Sequence, residues 1–227
     1  MNWQDKGYLL KINKYNENSS VAEFYTENFG KKIGILFGST SRKIKNYLFI
    51  GNKFHINFNS KTDNSIGSFK IEIDKVNTPI YLDHKIKLYC ILYSINIIQI
   101  LSVENQKNIK IYKSLNDLFY LIKNNFNFKN YIFWELEMLK NFGYELNYND
   151  HSNFVKKNGN KLYVSKSKEN KIIPNFLVNK DIKEVDNKDL ILAFELTSDF
   201  INKSILNDNN LSIPKTRHQL SKFLINL

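Results

Sequence analysis

The sequence predicts an α+β fold, a small five-stranded barrel followed by an all-helical domain, and three observations carry that prediction. Residues 1 to 77 break into short runs rich in Ile, Val, Phe, Tyr and Leu, with partial period-two alternation and turn residues between them. After Asn77-Thr78-Pro79 the apolar spacing changes to three and four residues over helical lengths. Gly34 and Gly38, read as lying inside a strand, suit the coiling and corners of a small closed barrel.

The strands expected in order are Gly7 to Lys14, Ser20 to Phe29, Lys31 to Phe37, Lys53 to Phe58 and Ser68 to Asp74. Phe29-Gly30 followed by Lys31 marks a tight connection between the second and third. The expected domains are residues 1–77 and 78–227. In the second, Asp83 to Glu104, Asn105 to Asn125, Phe128 to Phe142 and Asp186 to Leu206 carry helical periodicity, each beside Asp, Asn or Ser that can cap it. An insert at about 147–180 reads as irregular: His151 to Pro174 is polar and Lys-rich, with one weak strand at Lys161 to Ser165. Pro214 starts a last short helix.

A chain of 227 residues with 42% hydrophobic and 14% aromatic content has ample material for a packed core. The single cysteine, Cys90, sits in an apolar helical segment, so an internal disulfide and a cysteine-built zinc site are excluded. The opening Met-Asn-Trp-Gln-Asp-Lys lacks the basic-then-apolar pattern of a secretory signal. Leu88 to Val103, the longest charge-free apolar run, is interrupted by Ser94, Asn96, Gln99 and Ser102 and is shorter than the roughly 20 residues of a membrane span. A cytoplasmic protein without a membrane role is expected.

The net charge is +11. A composition dominated by Lys, Asn and Ile makes many of these lysines plain solvated surface. It does not account for one continuous window: between Glu27 and Asp63 there is no acidic residue, while Lys31, Lys32, Arg42, Lys43, Lys45, Lys53 and Lys61 lie there among short apolar runs. Such a strand-built stretch predicts a surface that faces a polyanion.

Catalytic chemistry finds no constellation. His55, His84, His151 and His218 are scattered, and there is no His-Glu-x-x-His, no Gly-x-Ser-x-Gly and no phosphate loop. Glu72-Ile73-Asp74-Lys75 has the acid-x-Lys ending of metal-dependent nuclease motifs, but Phe69, Ile71 and Ile73 alternate with it and describe a half-buried strand. No enzyme activity, metal or cofactor is expected. Binding chemistry remains: in a small barrel, lysines follow phosphates and aromatic rings stack on bases. Tyr47, Phe49, Phe54, His55 and Phe58 are available for stacking, most of them claimed by the core.

Short motifs then add a resemblance. Gly38-Ser-Thr-Ser-Arg-Lys-Ile-Lys45 resembles the Gly-Ala-x-Ser-x-x-Lys loop after the third strand of the RecO family of recombination mediators and strand-annealing proteins. Trp3 to Leu10, Glu23 to Gly30 and Gly51 to Asn57 resemble the rest of that family's N-terminal domain. Trp134-Glu135-Leu136 with Leu139 and Gly143-Tyr144 resembles its Phe-Glu-Leu…Leu…Gly-Tyr segment, and Tyr163-Val164-Ser165 and Ile213 to Arg217 resemble later motifs. Many members carry a zinc-binding cysteine cluster after the Gly-Tyr segment. Asn147 to Gly159 holds no cysteine, so the chain resembles the zinc-free branch.

The resemblance implies an N-terminal OB-fold (oligonucleotide-binding) barrel, a helical C-terminal domain, binding to single- and double-stranded DNA, and annealing of complementary strands. It also implies partners: the acidic tail of the single-stranded-DNA-binding protein, RecR, and indirectly RecA. The alternative from charge and stacking alone is an OB-fold RNA-binding protein of unrelated role. The residues expected on DNA are Lys31, Lys32, Arg42, Lys43, Lys45 and Lys53, and those expected on the acidic tail are Lys129 and Lys140.

One structural expectation follows from the arginines. Arg42 and Arg217 are the only two among 33 basic residues, so lysine serves wherever a point charge is enough and arginine is kept for a planar fork. On a helical wheel of 128–142, Glu135 falls near the middle of an apolar arc that includes Tyr131, Ile132, Met138 and Leu139, where a carboxylate needs a partner. Arg217 is the expected partner, clamping the last helix onto the helical domain.

Overall fold

The structure, a computed structural model, describes residues 1–62, 65–146, 154–157, 160–164, 170–180, 182 and 184–225. The chain divides into two compact units, Met1–Lys123 and Asn124–Leu227.

The first unit is built on strands β1 (Asn2–Lys14), β2 (Ser19–Thr26), β3 (Gly30–Phe37), β4 (Lys53–Asn59) and β5 (Gly67–Lys75), with one helical turn, α1 (Arg42–Lys45), between β3 and β4. They form a closed barrel in the order β1-β2-β3-β5-β4. β1 starts five residues before the expected Gly7, because Asn2–Tyr8 pairs with β4 while Gly7–Lys14 pairs with β2. Asn2, Gln4, Asp5 and Lys6 are too polar to mark a strand, so that half of β1 is set by its partner rather than by its own hydrophobicity. A bulge between Leu9 and Lys11 breaks the alternation, and Leu9 and Leu10 are both fully buried.

Closure depends on β3 and β5, which pair in parallel over only three positions, Gly34↔Gly67, Ile35↔Ser68 and Leu36↔Phe69. The two glycines face each other because nothing larger fits. A Cβ on Gly34 would stand 2.8 Å from the Phe69 ring and 2.9 Å from the Gly67 carbonyl, and one on Gly67 would overlap the Phe58 ring. The barrel so closed is filled by Leu9, Ala22, Phe24, Leu36, Phe54, Ile56, Phe58 and Phe69. Phe24 meets Phe69 edge-on with centroids 5.0 Å apart, and Phe58 lies 5.2 Å from Phe69.

Helices α2 (Lys85–Leu101) and α3 (Ile109–Asn124) follow a 3₁₀ turn at Thr78–Tyr81. The barrel strands end at Lys75, just before the expected boundary, whereas the compact unit runs on through α2 and nearly all of α3. α3 reaches β1 through Tyr8, whose ring stacks on Phe119 at 5.3 Å and whose hydroxyl donates to Asn116 Oδ1 at 2.8 Å. Cys90 is buried on α2.

The second unit contains α4 (Phe128–Asn141), β6 (Phe154–Lys157), β7 (Asn160–Val164), β8 (Asn170–Ile173), the single turn α5 (Asn175–Val178), α6 (Asn187–Ile201) and α7 (Lys215–Ile225). Asn127 caps α4 by accepting from Asn130 N, and Asp186 caps α6 by accepting from Asp189 N. A π-helical turn, Asn202–Leu206, extends α6. In the insert, where the sequence marks one weak strand, three short strands form an antiparallel sheet in the order β6-β7-β8. Each is too short and too rich in Lys and Asn to declare itself, and pairing supplies what propensity lacks. The rest of that insert, with His151 and Ser165, lies outside the described residues.

One guanidinium ties three helices of this unit together. Arg217 on α7 donates from Nη1 to Glu135 Oε1 on α4, from Nε to Ser198 Oγ on α6 at 2.9 Å, and from Nη2 to the Phe194 carbonyl at 3.0 Å. Its plane lies 3.6 Å over the Phe194 ring, and both charged side chains are out of solvent, Glu135 at 0% and Arg217 at 2% exposure.

Two outcomes are expected from stability measurements. Gly34→Ala and Gly67→Ala should each lower stability by about 3 kcal/mol through overpacking, read as a lower urea midpoint with the barrel's near-ultraviolet signal as the probe. Arg217→Ala and Glu135→Ala should each cost about 3 to 5 kcal/mol, whereas Glu135→Leu combined with Arg217→Met should cost less than either alone. Arg217→Lys should not restore the parent's melting temperature, because an ammonium cannot serve Glu135, Ser198 and Phe194 at once.

Candidate nucleic-acid interface

The acid-free window spans β3, α1 and β4, and the fold sorts six of its seven cations into two classes, with Lys61 exposed beyond β4. Lys31, Lys32 and Lys53 point their ammonium groups at the end of α2, at the connection between α2 and α3, and at α3 respectively. Lys31 Nζ donates to the Gln99 carbonyl at 3.0 Å, Lys32 Nζ to Asn105 Oδ1 at 2.6 Å and Lys53 Nζ to Asn116 Oδ1 at 3.0 Å. Lys32 and Lys53 are each only 8% exposed. Lys53 also lies 5.1 Å and 5.0 Å from the ring centroids of Tyr8 and Tyr112. Burial holds the pKa values of Lys31 and Lys53 below their ordinary range, with nearby carboxylates opposing the shift.

Further bonds complete this seam. Asn105 N donates to the Lys31 carbonyl at 2.9 Å, Gln99 Nε2 to Glu23 Oε2 at 2.8 Å and the Tyr25 hydroxyl to the Asn108 carbonyl at 3.1 Å. Burial pushes the Tyr25 pKa up to about 12, so that hydroxyl stays a donor at neutral pH. These lysines therefore fasten the helical pair to the barrel, and their charges are largely spent inside the unit.

Arg42, Lys43 and Lys45 form the second class. All three are exposed on α1, and none is in an ion pair among the described residues. The loop that presents them is pinned to the turn between β1 and β2 and to the start of β2: Gly38 N donates to the Asn18 carbonyl at 2.7 Å, Thr40 Oγ1 to Asn18 Oδ1 at 3.1 Å, and Ser39 Oγ bonds Ser20 Oγ at 2.8 Å. Three cations are thus displayed on one fixed turn, which suits successive phosphates of a nucleic-acid backbone.

Of the aromatic candidates, Phe54 and Phe58 belong to the barrel core, whereas Tyr47 and Phe49, just beyond α1, are 42% and 38% exposed. His55 is half exposed and lies 3.2 Å from Asp74 Oδ1, which also pairs with Lys6 at 3.7 Å. No group of three or more metal-ligating side chains occurs among the described residues, and Asp74 is paired with His55 and Lys6. His151 lies outside the described residues.

In the second unit, Lys129 Nζ donates to the carbonyls of Ile182 and Lys180, the latter at 3.4 Å. Lys140 is exposed and pairs with Glu145 at 2.8 Å. Among the described residues no helix is long and apolar enough to cross a membrane.

The sequence reading passed over the residues that capture the lysines. Asn116 could have been found, since it follows Tyr112 by one helical turn and precedes Phe119 by three residues on the face that α3 turns toward β1. Asn105 and Gln99 carry no such signal.

Comparison with known proteins places this architecture. Residues 1–74 match the family model for the N terminal of recombination protein O, and residues 85–203 match that for its C terminal. The chain belongs to the RecO family. The DNA repair protein RecO of Orientia tsutsugamushi (strain Ikeda) is 29% identical, with 99% of this chain and 98% of the relative covered. That of Ehrlichia chaffeensis is 27% identical over 99% and 98%, and that of Bartonella tribocorum 24% over 97% and 94%. Within the RecO family this chain keeps the barrel and the helical half, and Cys90, its only cysteine, cannot build a zinc cluster.

The division of labour among the cations is testable. Because the folded-state pKa of Lys53 is depressed, the unfolded chain binds more protons between that value and about 10.4, so this lysine makes stability rise with pH across that window. Lys53→Met should remove that part of the rise, seen in urea unfolding at stepped alkaline pH, while leaving affinity for single-stranded DNA unchanged. A loss of DNA affinity without a change in the pH profile would return Lys53 to the interface.

Proposed function

We propose that the chain is a non-enzymatic recombination mediator that binds single- and double-stranded DNA and anneals complementary strands. The observation that carries this reading is the pinned, exposed turn Arg42-Lys43-Ile44-Lys45 on a closed barrel, within the stretch that matches the family's N-terminal domain. The mechanism is electrostatic. Two complementary strands repel through their phosphates, and cations held on a rigid surface neutralise both partners and release their counterions, so that pairing proceeds without any bond being made or broken by the protein.

In the cell, this mediator acts with RecR in the cytoplasm to help load RecA onto strands coated by the single-stranded-DNA-binding protein. Family membership supports this role and favours DNA over RNA as the ligand. The acidic tail of the coating protein meets the helical half at Lys140, whose ammonium is exposed beside Glu145, in preference to Lys129, whose ammonium is bonded to backbone carbonyls.

The test is the salt dependence of DNA binding. For single strands, log affinity should fall linearly with log salt at about −0.7 per phosphate neutralised. Changing Arg42, Lys43 and Lys45 together to Ala should make the slope shallower by about 2, weaken binding to any sequence, and slow annealing of labelled complementary strands. An unchanged slope would place the phosphate track elsewhere.

A further inference from the structure

The barrel leaves the second half of one strand without a neighbour. β3 accompanies β5 only as far as Phe69; from Lys70 to Lys75, β5 has β4 on one side and no barrel strand on the other. Alternate residues of a strand turn their N–H and C=O groups to opposite sides, and among the described residues nothing hydrogen-bonds to those that residues 70–75 turn away from β4. The segment from Lys43 to Tyr47 borders that side across a groove of about 430 Å³. Register decides what each residue of β5 gives this groove. Ile71 and Ile73 stand opposite Ile56 and Phe54 of the core, yet both are only half-buried, because the groove opens over them. Glu72 stands opposite exposed His55 on the outer face, so its share of the lining is main chain rather than carboxylate. Ile44 and Tyr47 form the far wall, with Lys43 at the rim. Asn52, fully buried, donates from Nδ2 to the Tyr47 carbonyl at 2.9 Å and accepts from Asn77 N at 2.8 Å, which anchors that wall to the chain leaving the barrel.

We infer that this groove is a β-strand addition site, in which an extended acidic segment of a protein partner pairs with the open edge of β5. Its alternate apolar side chains rest on Phe54, Ile71 and Ile73, and its acidic ones face Arg42, Lys43 and Lys45. In this mode main-chain hydrogen bonds supply affinity and the contacts of alternate side chains supply specificity. At about 3.3 Å per residue, the edge from Lys70 to Lys75 is about 17 Å long and takes about five residues. The inference goes beyond the DNA-binding reading, but it draws on the same three cations, so an occupied groove engages charge that phosphates otherwise use.

Charge and hydrogen bonding select the occupant. Arg42, Lys43 and Lys45 are exposed and in no ion pair among the described residues, and exposed Lys70 adds a fourth cation on β5, whereas Asp74 is already paired with His55 and Lys6. A basic segment would be repelled. A second copy pairing β5 with β5 would bring two such turns together in chains of net charge +11. A nucleic-acid strand offers phosphates to the cations but no repeating main-chain amides to the edge. An acidic, alternating peptide satisfies the cations, the carbon floor and the unpaired backbone together.

The test is to titrate the full chain with a fluorescein-labelled peptide, Asp-Val-Asp-Ile-Asp-Val, amidated at its end so that no terminal carboxylate takes part. The parent should bind it, and hydrogen exchange should show new protection at residues 70–75 and none at α4 or α6. Methylating alternate backbone nitrogens of the peptide, in one of the two possible phases, should weaken binding at least about tenfold while leaving its side chains unchanged. Lys43→Glu, at an exposed position, should weaken binding about fivefold. Absence of binding, protection that falls elsewhere, or both methylated peptides binding like the unmethylated one overturns the inference, and Lys43→Glu binding like the parent overturns the acidic occupant. A dimer in sedimentation of the chain alone, with residues 70–75 already protected, assigns the edge to a second copy and overturns it as well. None of these readings involves DNA, so their failure leaves the DNA-binding proposal standing, and its failure leaves them.

Discussion

The first unit depends on a three-residue parallel pairing. Without the contact of Gly34–Leu36 with Gly67–Phe69, β3 and β5 would be open edges and the aromatic cluster around Phe24, Phe58 and Phe69 would lack its lid. The pairing is short because β3 ends at Phe37, and the chain must leave the barrel there to return as β4. That departure creates the loop on which Arg42, Lys43 and Lys45 stand, and it leaves the outer half of β5 uncovered. Barrel closure, cation display and the open groove are thus consequences of one geometric compromise, made possible by two positions that carry no side chain.

The distribution of lysine ammonium groups follows a second constraint, the cost of burying a charge without partners. Each inward lysine of the window meets an uncharged oxygen: the Gln99 carbonyl, Asn105 Oδ1 or Asn116 Oδ1. Neutral acceptors satisfy the donor without adding an opposing charge, so the seam between barrel and helices stays polar and specific. Arg42, Lys43 and Lys45 on the short turn, and Lys61, stand outside this seam with their charges exposed. A basic stretch is therefore a poor guide to a binding footprint until its neighbours in space are known.

In the second unit the same principle takes a stricter form. Glu135 and Arg217 are both withdrawn from water, and the guanidinium reaches a carboxylate, a hydroxyl and a carbonyl on two other helices while stacking on Phe194. A lysine in that place would have one point charge to divide among partners in different directions. That geometry gives a physical reason for one of only two arginines in a chain otherwise committed to lysine.

What the sequence by itself determined was the alternation of the five strands, the change of period beyond Pro79 and the misplaced carboxylate at Glu135, because each is a local pattern read against a fixed geometric repeat. Tertiary structure decided the rest. The polar first half of β1 and the three short strands of the insert exist through their pairing partners. Lys31, Lys32 and Lys53 look the same in sequence as Lys43 and Lys45; they differ because α2, α3 and the connection between them bring Gln99, Asn116 and Asn105 to meet them from 63 to 73 positions away. Charge is a property of a residue, but whether that charge is available to a ligand depends on burial and on partners distant in the chain, and those exist only once the barrel has closed and the helices have packed against it.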